Sequence, residues 1–253
     1  MKKKTGKIIR TIVMIICIGV FCFSAYELIK IFMEYNAGSQ EYQKLESYTA
    51  GPVENGTLSG AKGFSVNYEG LRQINEEIVG WLRIPDTTIN YPIMQTGDNE
   101  YYLKHTFERK NNIAGSIFLD KRNTSDFSDR NTIIYGHHIK NGKMFADLRH
   151  YTDENFYQEH PIIYLNTPEE GNVEYEIFSF YLTGNYRDTY GKTYSYQFAN
   201  DEEYQAYLDM ITAQSQYDTG VPVSVGDSIL TLSTCTNRTD DERYIVHAKK
   251  VNQ

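Results

Sequence analysis

Cysteine is scarce in this chain, with three in 253 residues, and Cys17 and Cys22 both fall inside an uncharged N-terminal run. Cys235 therefore has no disulfide partner outside that run, which excludes a disulfide-stapled framework. Cys-x-x-Cys and His-Glu-x-x-His spacings are missing, as are a glycine-rich phosphate loop, a Gly-x-Ser-x-Gly elbow and a paired-carboxylate motif. Nothing in the pattern calls for a metal or another cofactor, and the adjacent pair His137 and His138 lacks a metal-ligand spacing around it. Positive charge is also lacking in the body of the chain. From Glu34 onward there are 19 basic against 32 acidic residues, a net charge of −13, which argues against a nucleic-acid partner. There is no internal repeat and no low-complexity tract.

The basic residues that stand out are N-terminal: Lys2, Lys3, Lys4, Lys7 and Arg10. They precede Thr11–Tyr26, which carries no charge and is mostly apolar. Sixteen helical residues reach about 24 Å, and extension to Ile8 and Ile29 covers a hydrocarbon core of about 30 Å. A basic flank ahead of such a run puts the N-terminus in the cytoplasm and the rest outside. The run is long for a cleaved signal peptide and no Ala-x-Ala site follows, so an uncleaved anchor over residues 8–29 is expected. The organisation expected is a basic tail and anchor (1–33), a helical and linker segment that carries the domain away from the bilayer (34–62), and one folded domain (63–253).

Tyrosine is abundant at 22 residues, which suits a strand-rich fold. Apolar spacing predicts a helix from Phe64 to Leu82, ended by Gly80-Trp81. Short strands are predicted at Leu82–Pro85, Ile89–Ile93, Ser116–Leu119, Thr132–Tyr135, Ile162–Leu165, Val173–Thr183, Ser228–Thr234 and Tyr244–Val251. A longer helix, Asp201–Gln214, has Asn200 and Glu203 in a capping-box arrangement, with Tyr204, Tyr207, Leu208 and Ile211 on one face. About eight short strands with helical insertions predict a closed, mostly antiparallel barrel.

Cys235 ends the strand Thr231-Leu232-Ser233-Thr234-Cys235. A thiol there is either a nucleophile or a buried structural cysteine, and composition alone weighs the two equally. At its ordinary pKa only about 3% would be thiolate at neutral pH, so a nucleophile needs a proton partner. His137 emerges just after the strand Ile133-Ile134-Tyr135, with Gly136 allowing the turn, while His138 points the other way. His105, His150 and His160 read as surface polar residues and His247 as a strand residue. If Ile229–Cys235 and Arg243–Val251 form a hairpin, Arg243 reaches the rim beside Cys235. It is then either a donor to an oxyanion or half of a surface ion pair with Asp240, Asp241 or Glu242.

In this order, Ile78-Val-Gly-Trp-Leu-Arg-Ile-Pro85, Tyr91-Pro-Ile-Met-Gln95, Asp98-Asn-Glu-Tyr-Tyr-Leu103, Tyr135-Gly-His-His138, Thr231-Leu-Ser-Thr-Cys235 and Arg243-Tyr-Ile-Val246 resemble the sortases, most closely class B. The resemblance covers about residues 64–251. It implies a mostly β fold, an eight-stranded sortase-type barrel with added helices behind a transmembrane helix. It implies a membrane-anchored cysteine transpeptidase of Gram-positive bacteria, needing no cofactor. Such an enzyme cleaves the C-terminal sorting signal of surface proteins after threonine and passes them to a peptidoglycan amine. Cys235 would be the nucleophile, His137 the acid and base, and Arg243 the holder of the threonine and the oxyanion. Asn99, Leu103, Tyr135, Ser233, Tyr194 and Ser195 would line the substrate groove. The competing readings are a cysteine peptidase that only hydrolyses, and a membrane-tethered cell-wall binding protein with an unreactive thiol.

Overall fold

In a computed structural model, residues 2–50, 53–54, 57–58, 64–183, 193–235 and 242–251 are described. Eight strands close into a barrel: β1 (Ile78–Arg83), β2 (Asn90–Met94), β3 (Ile117–Leu119), β4 (Asn131–Tyr135), β5 (Ile162–Thr167), β6 (Gly171–Leu182), β7 (Ile229–Cys235) and β8 (Arg243–Lys250). Around the barrel the order is β6-β8-β7-β4-β3-β2-β1-β5, with β5 closing on β6. The β2–β3 and β4–β7 pairs are parallel and the others antiparallel. Closure leaves no unpaired edge between these strands.

The predicted helix Phe64–Leu82 is corrected. Only α2 (Tyr68–Ile74) is helical, capped by the Asn67 side chain accepting from the Gly70 N–H. Ile78, Val79 and Trp81 instead lie in β1, antiparallel to β2 and β5. Their apolar spacing fits either period over so short a run, and barrel pairing decides the outcome. Trp81 is buried, its indole N–H donating to Asn90 Oδ1 at 2.7 Å.

The N-terminal helix α1 runs unbroken from Lys2 to Leu45. It is long and apolar enough to cross a membrane, and none of its apolar window is buried. Its last third falls in the segment expected to be part helix and part linker, and it packs on the barrel domain. Glu41, Tyr42 and Leu45 are buried against the barrel domain. Glu41 accepts from the Thr106 hydroxyl and the Glu108 N–H, and the Asn112 side-chain amide donates to the Glu34 carbonyl. Gly38 permits the close approach, because a Cβ there would stand 3.2 Å from Asn112 Oδ1 and 3.3 Å from the Ala114 methyl.

Two apolar layers flank the strands. Trp81, Ile93, Ile134, Leu230, Leu232 and Val246 belong to the barrel interior. On the outer face, Ile133, Ile229 and Ile245 pack with Tyr204, Tyr207, Leu208 and Ile211. The last four lie on α4 (Asp201–Ala213, α3 being Glu154–Glu159), the apolar stripe legible in the sequence. Asn200 caps α4 by accepting from the Glu203 N–H, and Glu203 reaches back to the Ala199 N–H, completing the capping box.

His247 lies in this outer layer, fully buried. Tyr181 Oη is 3.1 Å from its Nε2 and Thr231 Oγ1 is 2.9 Å from its Nδ1. Burial without a charged partner pushes its pKa down to about 3. A depressed folded-state pKa gives stability that is present above the unfolded value near 6.5 and lost as pH falls towards 3. Between pH 7.5 and 5 this group alone is expected to cost about 2 kcal/mol. Urea unfolding of the detergent-solubilised chain at both pH values measures the loss, and His247→Gln is expected to remove that share of it.

Candidate active site

Alternation along the strands decides which residues share a face. Asn131, Ile133 and Tyr135 of β4, Thr231 and Ser233 of β7, and Ile245 and His247 of β8 fall on the outer face. Asn131, Thr231 and His247 are linked there by hydrogen bonds, and Ile133 and Ile245 share a cluster.

The register brings three chemically capable residues to one rim. Cys235 is directly opposite Arg243 in the antiparallel β7–β8 ladder. On its other side, Ser233 is opposite Tyr135 in the parallel β4–β7 ladder, and the Gly136 N–H donates to the Ser233 carbonyl at 3.1 Å. The last pair of that ladder lies two residues short of both Cys235 and His137. Position 235 is thus on the central of three adjacent strands, with Arg243 opposite it on one side and the strand that leads to His137 on the other. Cys235 is located by its backbone register, and the 236–241 connection lies outside the described residues.

His137 is held by contacts that fix its chemistry. Its Nε2 lies 2.6 Å from the Leu103 carbonyl oxygen. A carbonyl only accepts, so Nε2 carries the proton and Nδ1 is the nitrogen left for proton transfer. Burial pushes its pKa below the ordinary histidine value, and the Leu103 carbonyl partly opposes that shift. Burial thus favours the neutral form of the ring, in which Nδ1 is the basic nitrogen.

Two glycines make this placement possible. Gly115 adopts φ +58°, and a Cβ on it would fall 2.5 Å from the Tyr102 carbonyl, 2.8 Å from the Leu103 carbonyl and 3.0 Å from His137 Cδ2. A Cβ on Gly136 would strike Ile117 Cδ1 at 2.4 Å and the Phe145 ring at 2.7 Å. His138, next along, has its ring 5.8 Å from Tyr244 and its backbone bridged to Met144.

Arg243 is tied down at its main chain. Its N–H donates to Thr183 Oγ1 at 2.9 Å, and its carbonyl accepts from the Thr183 N–H at 3.0 Å. Its Nη1 donates to the Glu242 carbonyl at 2.8 Å. Asp240 and Asp241, the other ion-pair candidates, lie outside the described residues.

The remaining candidates form a wall beside this rim. The Tyr135 ring stands between Phe118, at 5.4 Å, and Tyr194, at 5.7 Å. Its hydroxyl donates to Asp120 Oδ2 at 2.9 Å. Asp120 is fully buried and also accepts from Arg122 Nε and Nη2, a fork that holds its carboxyl below the usual range despite burial. Arg122 in turn stacks 4.7 Å from the Tyr196 ring centroid. Asn99 Oδ1 accepts from the Lys121 N–H, and Leu103 contributes its carbonyl to His137. Ser195 accepts through its carbonyl from the Asn131 side-chain amide. Tyr194 and Ser233 are only 1% and 2% exposed, with their hydroxyls 2.7 Å apart.

Spacing did not reveal Gly115, Asp120 or Arg122. Each acts through partners 12 or more positions away, apart from the local Asp120–Arg122 pair, and nothing local marks them. Among the described residues no group of His, Cys, Asp or Glu is arranged to hold a metal ion.

A closed eight-stranded barrel with a cysteine, a histidine and an arginine at the ends of three adjacent strands defines a cysteine acyl-transfer enzyme of the sortase type. The Sortase domain family model matches residues 82–251. Sortase B of Listeria monocytogenes is 39% identical over 247 residues, covering 94% of this chain and 95% of the relative. The crystal structure of sortase B from B. anthracis in complex with AAEK1 superposes with a TM-score of 0.74 at 36% identity, over 88% of this chain and 100% of that one. The Staphylococcus aureus sortase B–substrate complex gives 0.67 at 37% identity, over 73% and 84%. The chain belongs to the sortase family, the cysteine transpeptidases, and its relatives place it in class B.

Proposed function

We propose that this chain is a membrane-anchored transpeptidase that cleaves the C-terminal sorting signal of exported proteins after threonine and joins the new carboxyl end to a peptidoglycan amine. The observation that supports the reading is the register that sets Cys235 opposite Arg243, with β4, the strand that runs on to His137, on its other side.

Neutral His137 accepts the Cys235 proton at Nδ1 as the sulfur attacks the threonine carbonyl. The resulting oxyanion is stabilised by the permanently charged Arg243 guanidinium. The imidazolium returns that proton to the leaving amine as the carbon–nitrogen bond breaks, leaving a thioester on Cys235. The acceptor amine then attacks the thioester, gives a proton to His137, and expels the thiolate, which is reprotonated. No oxidant, metal or cofactor enters this sequence. Asn99, Leu103, Tyr135, Ser233, Tyr194 and Ser195 are assigned to the groove. In the cell, residues 8–29 span the membrane with the N-terminus cytoplasmic and the barrel outside, a topology supported by the basic flank and the unpacked apolar helix.

The test is cleavage of fluorogenic peptides of the NPQTN and PPxTG kinds by the detergent-solubilised full chain, with and without an amine acceptor. Cleavage after threonine with amine-dependent ligation is expected. Cleavage whose products contain no ligated amine would favour the hydrolytic reading, and inertness toward every peptide would favour the binding-protein reading.

A further inference from the structure

On its buried face, α1 makes a contact that leads through Gly115 to His137. The Tyr42 hydroxyl donates to the Gly115 carbonyl at 2.7 Å and lies 2.9 Å from Ser116 Oγ. Ser116 donates through its hydroxyl to the His105 carbonyl and through its N–H to the Tyr102 carbonyl. Gly115 is the residue against which the His137 ring lies, and the 101–105 segment supplies the Leu103 carbonyl that holds Nε2. The anchor helix thus ends on the two strips of main chain that form the imidazole's pocket. Tyr42 is buried and packs edge-on to Tyr91 with ring centroids 5.3 Å apart, so its position is fixed independently of the hydroxyl.

We propose that Tyr42 is a positioning residue for His137, so that the end of the membrane-anchor helix is a built part of the catalytic site rather than a tether. The proposal rests on His137 being the acid and base of the reaction. Removing the hydroxyl leaves the buried Gly115 carbonyl without that donor and frees the 102–116 loop to drift. A shift of the Leu103 carbonyl weakens the contact that raises the His137 pKa against burial, so that pKa falls further. The titratable and charged groups on the surrounding elements are Cys235 and Arg243 on β7 and β8, Tyr101, Tyr102, Lys104 and His105 on the 101–105 segment, His138 alongside, and Glu41 on α1. Tyr42→Phe alters none of them.

The experiment compares wild type, Tyr42→Phe, Tyr68→Phe and His137→Ala as full chains in detergent micelles. Tyr68 is the control, since its hydroxyl donates to the Asn166 carbonyl at 2.7 Å, away from the site. Both phenylalanine variants are expected to lose similar thermal stability. Only Tyr42→Phe is expected to lower kcat, by about 3- to 10-fold with KM within about twofold, and to move the His137 ring titration, followed by NMR, down by about half a unit. Kinetics and titration that match those of Tyr68→Phe would overturn the proposal while leaving the assigned chemistry intact. Turnover by His137→Ala would instead overturn the underlying reading.

Discussion

Replacing Cys235 with alanine is expected to abolish turnover, a loss of at least about 10⁴-fold in kcat/KM. The reason is the lack of a substitute on that face. Ser233 and Thr231 are the nearest hydroxyls on the same strand face, and both are buried and bonded, to Tyr194 and to Asn131 with His247. Thr234, on the opposite face, is buried. A serine at 235 is expected to be nearly as inactive, because a neutral imidazole with a depressed pKa is a poor base for a hydroxyl far less acidic than a thiol. His137→Ala is expected to fall into the same range, whereas His138→Ala keeps activity within about threefold, since its ring packs toward Tyr244. Steady-state kinetics on a sorting peptide check all four.

Gly115→Ala is expected to be the most damaging substitution outside the reacting groups. The new methyl would meet two main-chain carbonyls, at 2.5 and 2.8 Å, neither of which can rotate aside. The φ of +58° adds the left-handed penalty that any side chain incurs. Together these are expected to cost about 3 kcal/mol or more of stability. The Leu103 carbonyl that must retreat is the one holding His137, so the folded fraction is expected to lose about 100-fold in kcat, the usual effect of an ångström's misplacement. Gly142→Ala is the matched control. It also has positive φ, +80°, but nothing within 4 Å of the added methyl, so about 1 kcal/mol is lost and kcat is kept. Denaturation curves and kcat for the two variants separate backbone strain from the displaced carbonyl.

The barrel was largely legible in the sequence because its strands alternate and end at turns, and α4 because its cap and stripe are local. β1 was misread as helix because Ile78, Val79 and Trp81 satisfy either period and only pairing with β2 and β5 decides. Cys235, His137 and Arg243 were visible as strand-end residues, and the hairpin register Cys235–Arg243 follows as read. What supports them was not visible. Tyr42 meets Gly115 across 73 positions and Leu103 meets His137 across 34, and no local pattern encodes such pairings. Tyr194 and Ser233, expected in the groove, are buried with their hydroxyls 2.7 Å apart, a pairing that a single strand pattern cannot supply.

The central claim is that Cys235 carries the acyl group. Intact-mass and peptide-mapping spectrometry of the full chain, quenched in acid during turnover of a sorting peptide, tests it most directly. The account predicts an adduct equal to the peptide up to and including threonine, mapped to Cys235, lost on addition of hydroxylamine or an amine acceptor, and absent from Cys235→Ala. Turnover with no such adduct under conditions where the acceptor step is withheld, or an adduct mapped to any other residue, would contradict it.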